Sequence, residues 1–170
     1  MANARDIRRR IKSIKNIQQI TKAMKMVAAA RLRRAQERAL ASQPYAQKLM
    51  EILHNVSAGL RDAKHPLLEV REVKTAGFLV IGADKGLAGA YTSNLVKAVI
   101  PQFGTNDNSA LVTVGRKPRD YFQRRNYRVM DEYSGFSEKP DYDHATMLAG
   151  DIAERFINGE LDAVYLVYTE

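Results

Sequence analysis

The sequence predicts an α/β chain: a mostly parallel sheet flanked by helices, preceded by one long projecting helix. Three observations carry that expectation. Residues Ile7 to Leu40 contain neither Gly nor Pro and place apolar side chains at threes and fours, the spacing of a helical stripe. Beyond Gly77, short β-forming runs alternate with helical patterns over short connections, as in parallel sheets covered by helices. The charge is also divided. Residues 1–50 hold thirteen Lys or Arg against two acids, a net of +11, and the remainder holds fourteen against seventeen, a net of −3. One piece therefore seeks acidic surroundings and the other is neutral to acidic.

The expected organisation is a long helix over residues 1–60, a linker over 61–76 and an α/β domain over 77–170 that is incomplete at its C-terminus. The helical stripe runs through Ile7, Ile11, Ile14, Ile17, Ile20, Met24, Val27, Ala28, Leu32, Ala35 and Ala39. Between Ile7 and Met24 its mean spacing is below 3.6, so it drifts unless the helix supercoils left-handedly around a partner. A lone helix is marginal in water, and each large side chain on the stripe gains roughly 1.5–3 kcal/mol on full burial. The stripe asks for another helix. It keeps phase through Tyr45, Leu49, Ile52, Leu53, Val56 and Leu60, so Pro44 is expected to kink one long element rather than open a second helix capped by Ser42. Gly59 is the natural stop. From Ile7 to Val56 such a helix reaches on the order of 75 Å, longer than a small domain is wide.

Arg61–Lys74, with His65-Pro66, reads as a surface crossing. Gly77–Gly82 is the first strand, followed by the turn Ala83–Gly86. A helix then presents Leu95, Val96, Val99, Ile100 and Phe103 before Gly104 and the polar loop TNDNS. Ala110–Val114 is the second strand, and Gly115 opens a basic helix carrying Tyr121 and Phe122. Tyr127–Met130 is the expected third strand, with 131–143 an acidic loop. The next helix buries Ala145, Leu148, Ile152, Ala153 and Phe156 and ends at Asn158-Gly159, and Ala163–Tyr168 is the last strand. The chain stops at Thr169-Glu170 without a second long helix, so the sequence is expected to be cut short.

Composition narrows the chemistry. With no cysteine there is no disulfide frame or thiol chemistry, and a cytosolic location fits. The N-terminus is charged from Arg5 without a signal-peptide core, and no apolar run approaches the roughly 18–20 residues of a membrane span. The loop Gly82–Gly89 follows a strand and precedes a helix, where phosphates often bind. Its G-x-x-x-G-x-x-G spacing matches neither the dinucleotide nor the nucleotidase motif. It reads instead as a tight turn in which Asp84 caps the helix and Gly86 takes an unusual backbone angle. His54, His65 and His144 lie far apart, and Asp141-x-Asp143-His144 reads as a helix cap. No nucleophile–base arrangement is legible, so no catalytic, cofactor or metal role is expected.

The basic helix is the sharp feature. Nucleic-acid binding is one reading, although no aromatic residue precedes Tyr45. Membrane-surface binding lacks Trp or Phe anchors. A merely solvated face would mix both signs of charge. A protein partner with acidic surfaces fits all three observations. A small nucleotide-binding enzyme built on the α/β half is the remaining alternative.

The residues also carry a resemblance. Ile11 to Ala29, and above all ITKAMKMVAAARLRRAQ, strongly resembles the N-terminal helix of the gamma subunit of F-type ATP synthases. Asp84-Lys85-Gly86-Leu87-Ala88-Gly89-Ala90-Tyr91-Thr92-Ser93-Asn94 is similar to that family's second signature, in the same place after the first strand. The resemblance covers essentially the whole chain. It implies a Rossmann-like domain and a central-stalk shaft, the shaft formed as an antiparallel coiled coil with a C-terminal helix that this chain lacks.

The implied role is a non-catalytic rotor within a proton-translocating complex. Its implied partners are the alpha and beta subunits of the hexamer bore, the epsilon subunit and the membrane c-ring, without nucleic acid. The implied location is the cytoplasmic side of a bacterial cell membrane, peripherally. Arg8, Arg9, Lys22, Met24, Lys25, Arg31, Arg33 and Arg34 would make rotor–stator contacts, and Asp84, Lys85, Gly86 and Gly89 would form a structural signature loop. The cysteine-bearing insertion of chloroplast members is missing, which implies a bacterial type without thiol switching.

Overall fold

A computed structural model describes residues 3–59, 65–103, 109–136 and 140–169, with side chains of the first segment described through Val56. The chain divides into two compact units, Met1–Ala63 and Lys64–Glu170. The expected Leu60, the first part of the Arg61–Lys74 crossing and the Gly104 stop lie outside the described residues.

The first unit is a single helix, α1 (Ala4–Gly59), about 84 Å long at 1.5 Å per residue. Its start is tied by the Asn3 carbonyl, which accepts the Asp6 and Ile7 amides at 2.8 and 3.2 Å. Asp6 in the first turn complements the positive end of the helix dipole. The helix runs unbroken past Pro44. Ser42 opens no second helix, because its hydroxyl donates back to the Ala39 carbonyl at 2.9 Å.

The second unit begins with a 3-10 turn, Pro66–Leu68, whose first amides are met by His65 Nδ1 accepting from Leu67. Four strands follow: β1 (Ala76–Ile81), β2 (Ser109–Val114), β3 (Val129–Tyr133) and β4 (Ala163–Val167). They alternate with α2 (Tyr91–Val99), α3 (Arg116–Gln123) and α4 (Tyr142–Ile157). The sheet order is β3-β2-β1-β4 and every pairing is parallel. The α/β class and the parallel sheet expected from the alternation are therefore present. β1 and β2, each flanked on both sides, are the most buried strands, and β3 and β4 form the edges.

One face of the sheet holds the main core. Phe78, Val80 and Leu111 pack there against Leu95, Val96 and Val99 of α2 and Phe122 of α3. Phe103 meets the edges of Phe78 and Phe122 at 5.1 and 5.9 Å between ring centres, a geometry suited to the charge distribution of aromatic rings. The β3-to-β4 connection returns across the sheet, and right-handed crossovers then put α4 on the opposite face.

The third strand corrects the expectation. It runs from Val129 to Tyr133 rather than Tyr127 to Met130, so Asp131 and Glu132 belong to a strand instead of a loop. Their charges are matched from neighbouring helices. Arg155 of α4 bonds Asp131, while Arg119 and Gln123 of α3 bond Glu132. An edge strand tolerates such residues.

Candidate functional site: the cationic helix and the strand-exit loop

Every described side chain of α1 from Ala4 to Val56 is exposed. The stripe is included: Ile14 is 63% exposed, Ile20 59% and Met24 63%. A row of large apolar groups this exposed marks an interaction surface.

At 3.6 residues per turn the eight candidate contact residues fall on two sides of α1. Arg9, Met24, Arg31 and Arg34 lie within an arc of about 80°, together with Ile20 and Val27. Arg8, Lys22, Lys25 and Arg33 lie on the other side. The residues thus divide into one flank around Ile20 with Met24 at its edge, and a second, cationic flank that also carries the exposed Ile7, Ile11 and Met26. Within the second group, Arg33 Nε bonds Glu37 at 2.8 Å, one turn on. That exposed pair contributes only about 0.3–0.5 kcal/mol.

The loop after β1 departs from its sequence reading in two respects. Asp84 does not cap α2, whose N-cap is Ala90 without a side-chain bond. The Asp84 carboxylate is turned inward instead, with the residue 6% exposed. One oxygen accepts the Arg116 amide at 3.2 Å and the other the Gly135 amide at 3.0 Å. The Arg116 guanidinium stands 3.9 Å away. Nor does Gly86 take the unusual backbone angle. The left-handed positions are Leu87, at φ 63°, and Gly89, at φ 58°. Leu87 is a costly choice there, because its Cβ crowds the backbone, and its side chain is fully exposed. Lys85 sits at the loop's exposed surface, and the Lys117 side chain lies within 3.7 Å of where a Cβ on Gly86 would be.

The Asp141 trio behaves as a cap. Asp141 accepts the His144 amide at 3.1 Å at the start of α4. At the other end of α4 a polar cleft of about 220 Å³ is lined by Asp151, Glu154, Arg155, Asn158 and Glu160. Sequence reading missed Arg155, which bonds both Asp131 and Glu160. It also missed Asp162, whose carboxylate accepts two amides of the β1 approach. Neither stands in a local motif, so their roles emerge only from tertiary placement.

A family model described as ATP synthase matches residues 3–170. The chain belongs to this family. Among its relatives, the ATP synthase gamma chain of Desulforamulus reducens is 47% identical over 170 residues, covering 100% of this chain and 60% of that protein. The gamma chain of Heliobacterium modesticaldum is 46% identical over 170 residues, covering 100% and 59%. The chain therefore spans about three fifths of the length of these curated relatives. Among solved structures, the central stalk and c-ring of the Tetrahymena thermophila mitochondrial ATP synthase aligns with a TM-score of 0.71 at 24% identity, covering 88% of this chain and 64% of that one. The rotor of the Euglena gracilis mitochondrial ATP synthase aligns at 0.54 and 17% identity, covering 86% and 51%. These two likenesses are of fold. Of the two stretches singled out in the sequence, residues 11–29 lie on α1, and residues 84–94 form the loop before α2 and its first turn.

Proposed function

We propose that this chain is rotor material of an F-type ATP synthase. In this reading it is the non-catalytic central-stalk subunit, or the part of it present here, that couples proton flow to conformational cycling and ATP synthesis or hydrolysis in an alpha–beta hexamer. Residues 1–60 are the shaft, 61–76 a linker and 77–170 the α/β domain. The observation that carries the reading is the match of residues 3–170 to the ATP synthase family, joined to an exposed, cationic helix without glycine between Ile7 and Leu40.

The physical argument is mechanical and electrostatic. An unbroken helix transmits torque along its axis. Positive charge meets acidic loops of the beta subunits at each step, where complementarity governs register and partner choice. Ala28, Ala29 and Ala30 permit close approach of a second helix. Arg9, Met24, Arg31 and Arg34 form one contact flank, and Arg8, Lys22, Lys25 and Arg33 the other. The epsilon subunit and the membrane c-ring are the partners of the α/β domain. Its placement is peripheral, on the cytoplasmic side of a bacterial cell membrane, in keeping with the finding that no described helix is long and apolar enough to cross one.

Co-expression with the alpha and beta subunits tests the reading directly. The polypeptide is expected to co-purify with them at moderate salt. In the assembled enzyme, Met24→Lys should weaken the coupling of ATP turnover to proton movement. A polypeptide that ignores alpha and beta but binds DNA with a steep salt dependence would overturn it.

A further inference from the structure

We infer that Asp84 is a positioning residue: its carboxylate clamps the exits of β1, β2 and β3 into one block and thereby imposes the conformation of residues 85–89. The inference is independent of the rotor reading and goes beyond the structural role assigned to the signature loop. Three strands end at the same edge of a parallel sheet, and each exit would ordinarily be a separate loop. Here they are tied together. Asp84 itself belongs to the β1 exit. Its two oxygens take the Arg116 amide, from the β2 exit, and the Gly135 amide, from the β3 exit. These partners are 32 and 51 residues away in sequence.

Backbone bonds reinforce the same junction. Lys117 donates its amide to the Ala83 carbonyl at 2.9 Å, and Gly115 donates to the Tyr133 carbonyl at 2.7 Å. Gly115, at φ 109°, lets the chains approach so closely that a Cβ there would stand 2.5 Å from the Gly82 oxygen. A carboxylate that accepts backbone amides makes charge-assisted bonds, stronger than neutral ones. Because it is buried, losing it would leave the amide of Arg116 or Gly135 without its acceptor.

The loop shows why a clamp is needed. Leu87 holds a left-handed angle that its own side chain disfavours. That side chain is fully exposed, so no burial of the leucine offsets the strain. Such a conformation persists only where the surrounding backbone over-determines it. The determinants are at the loop's ends: Asp84 at its root, and the Tyr91 amide donating to the Ala88 carbonyl at 3.2 Å beyond it.

Amide hydrogen exchange on the full chain tests this residue by residue. In Asp84→Ala, exchange at the Arg116 and Gly135 amides should accelerate at least tenfold, and the backbone chemical shifts of residues 85–89 should move toward random-coil values. Val80 and Val112, in the sheet centre, should stay within about twofold. Asp84→Asn retains one acceptor oxygen and should release one of the two amides and spare the other. Unchanged exchange at Arg116 and Gly135 would overturn the clamp. So would acceleration spread evenly through β1 and β2 in both Asp84 variants, which would mark a residue of general stability. None of these readouts depends on assembly with other subunits, so the clamp and the rotor reading fail separately.

Discussion

Asp162 and Thr75 hold each other reciprocally at the entry of the β1–β4 strand pair. The Asp162 carboxylate accepts the Thr75 amide at 2.8 Å, and the Thr75 carbonyl accepts the Asp162 amide at 2.9 Å. The same carboxylate oxygen takes the Lys74 amide at 3.0 Å. Bonding to the Thr75 amide, with help from Lys74 and Arg71, holds the Asp162 carboxyl below its ordinary range. A carboxylate depressed on folding adds stability above its unfolded pKa, and that stability is lost as pH falls through the folded value. Asp162→Asn keeps an acceptor and removes the charge. Its Tm should depend less on pH than the parent's below about pH 4, as thermal melts across an acid series would show.

Tyr133 supplies the opposite limb. Its hydroxyl donates to the Asp151 carboxylate. Burial first, and that bond second, push its pKa up to about 12. The neutral phenol is favoured on folding, so the contribution is fully present below about pH 10 and lost between there and about 12. Ultraviolet titration of the folded chain should show a phenol step at about pH 12 from Tyr133. Tyr133→Phe should remove that step, and Asp151→Asn should move it down.

Two glycines of positive φ should respond differently to alanine. A Cβ on Gly135, at φ 90°, meets nothing within 4 Å, so Gly135→Ala should cost only the backbone strain, about 1–2 kcal/mol. Gly115 carries comparable strain, and its Cβ would also collide with the Gly82 backbone at 2.5 Å. Gly115→Ala should lower the urea midpoint well beyond the Gly135 variant.

Pro44 interrupts the ladder of α1 once. It donates no amide to the Leu40 carbonyl and crowds it, and nothing buries the segment in return, since Leu40 is 66% exposed and Tyr45 72%. Pro44→Ala should raise the stability of α1 by up to about 3 kcal/mol. Far-ultraviolet circular dichroism of the full chain would show it as a higher melting temperature of the helical signal.

Elements with local causes are legible in the sequence, and those with distant causes are not. The long helix was legible because its stripe and its lack of glycine act within a few residues of each other. The strand through Phe78, Leu79 and Val80 was legible because a compact β-forming run stands between turn signals. The third strand was misplaced because Asp131 and Glu132 look like loop residues until Arg155 and Arg119 are brought to them by other helices. Asp84 does not cap the helix that follows, as its place in the sequence suggests. A capping aspartate normally serves the helix that follows, whereas this one serves amides far along the chain. The unusual angle was assigned to Gly86 because glycine is its usual bearer, yet Leu87 adopts it.

The position of β1 at the centre of the sheet sets a timetable for synthesis. Ala76 meets Ser109, 33 residues on, and Ala163, 87 residues on. As the nascent chain leaves the ribosome, one margin of this strand can zip early, while the other waits for Ala163, 87 residues on. Contacts of such long range slow folding, and an unpaired margin invites association with other chains while it waits. A holdase or a slowly translated stretch would act to greatest effect in the interval before Ala163 emerges.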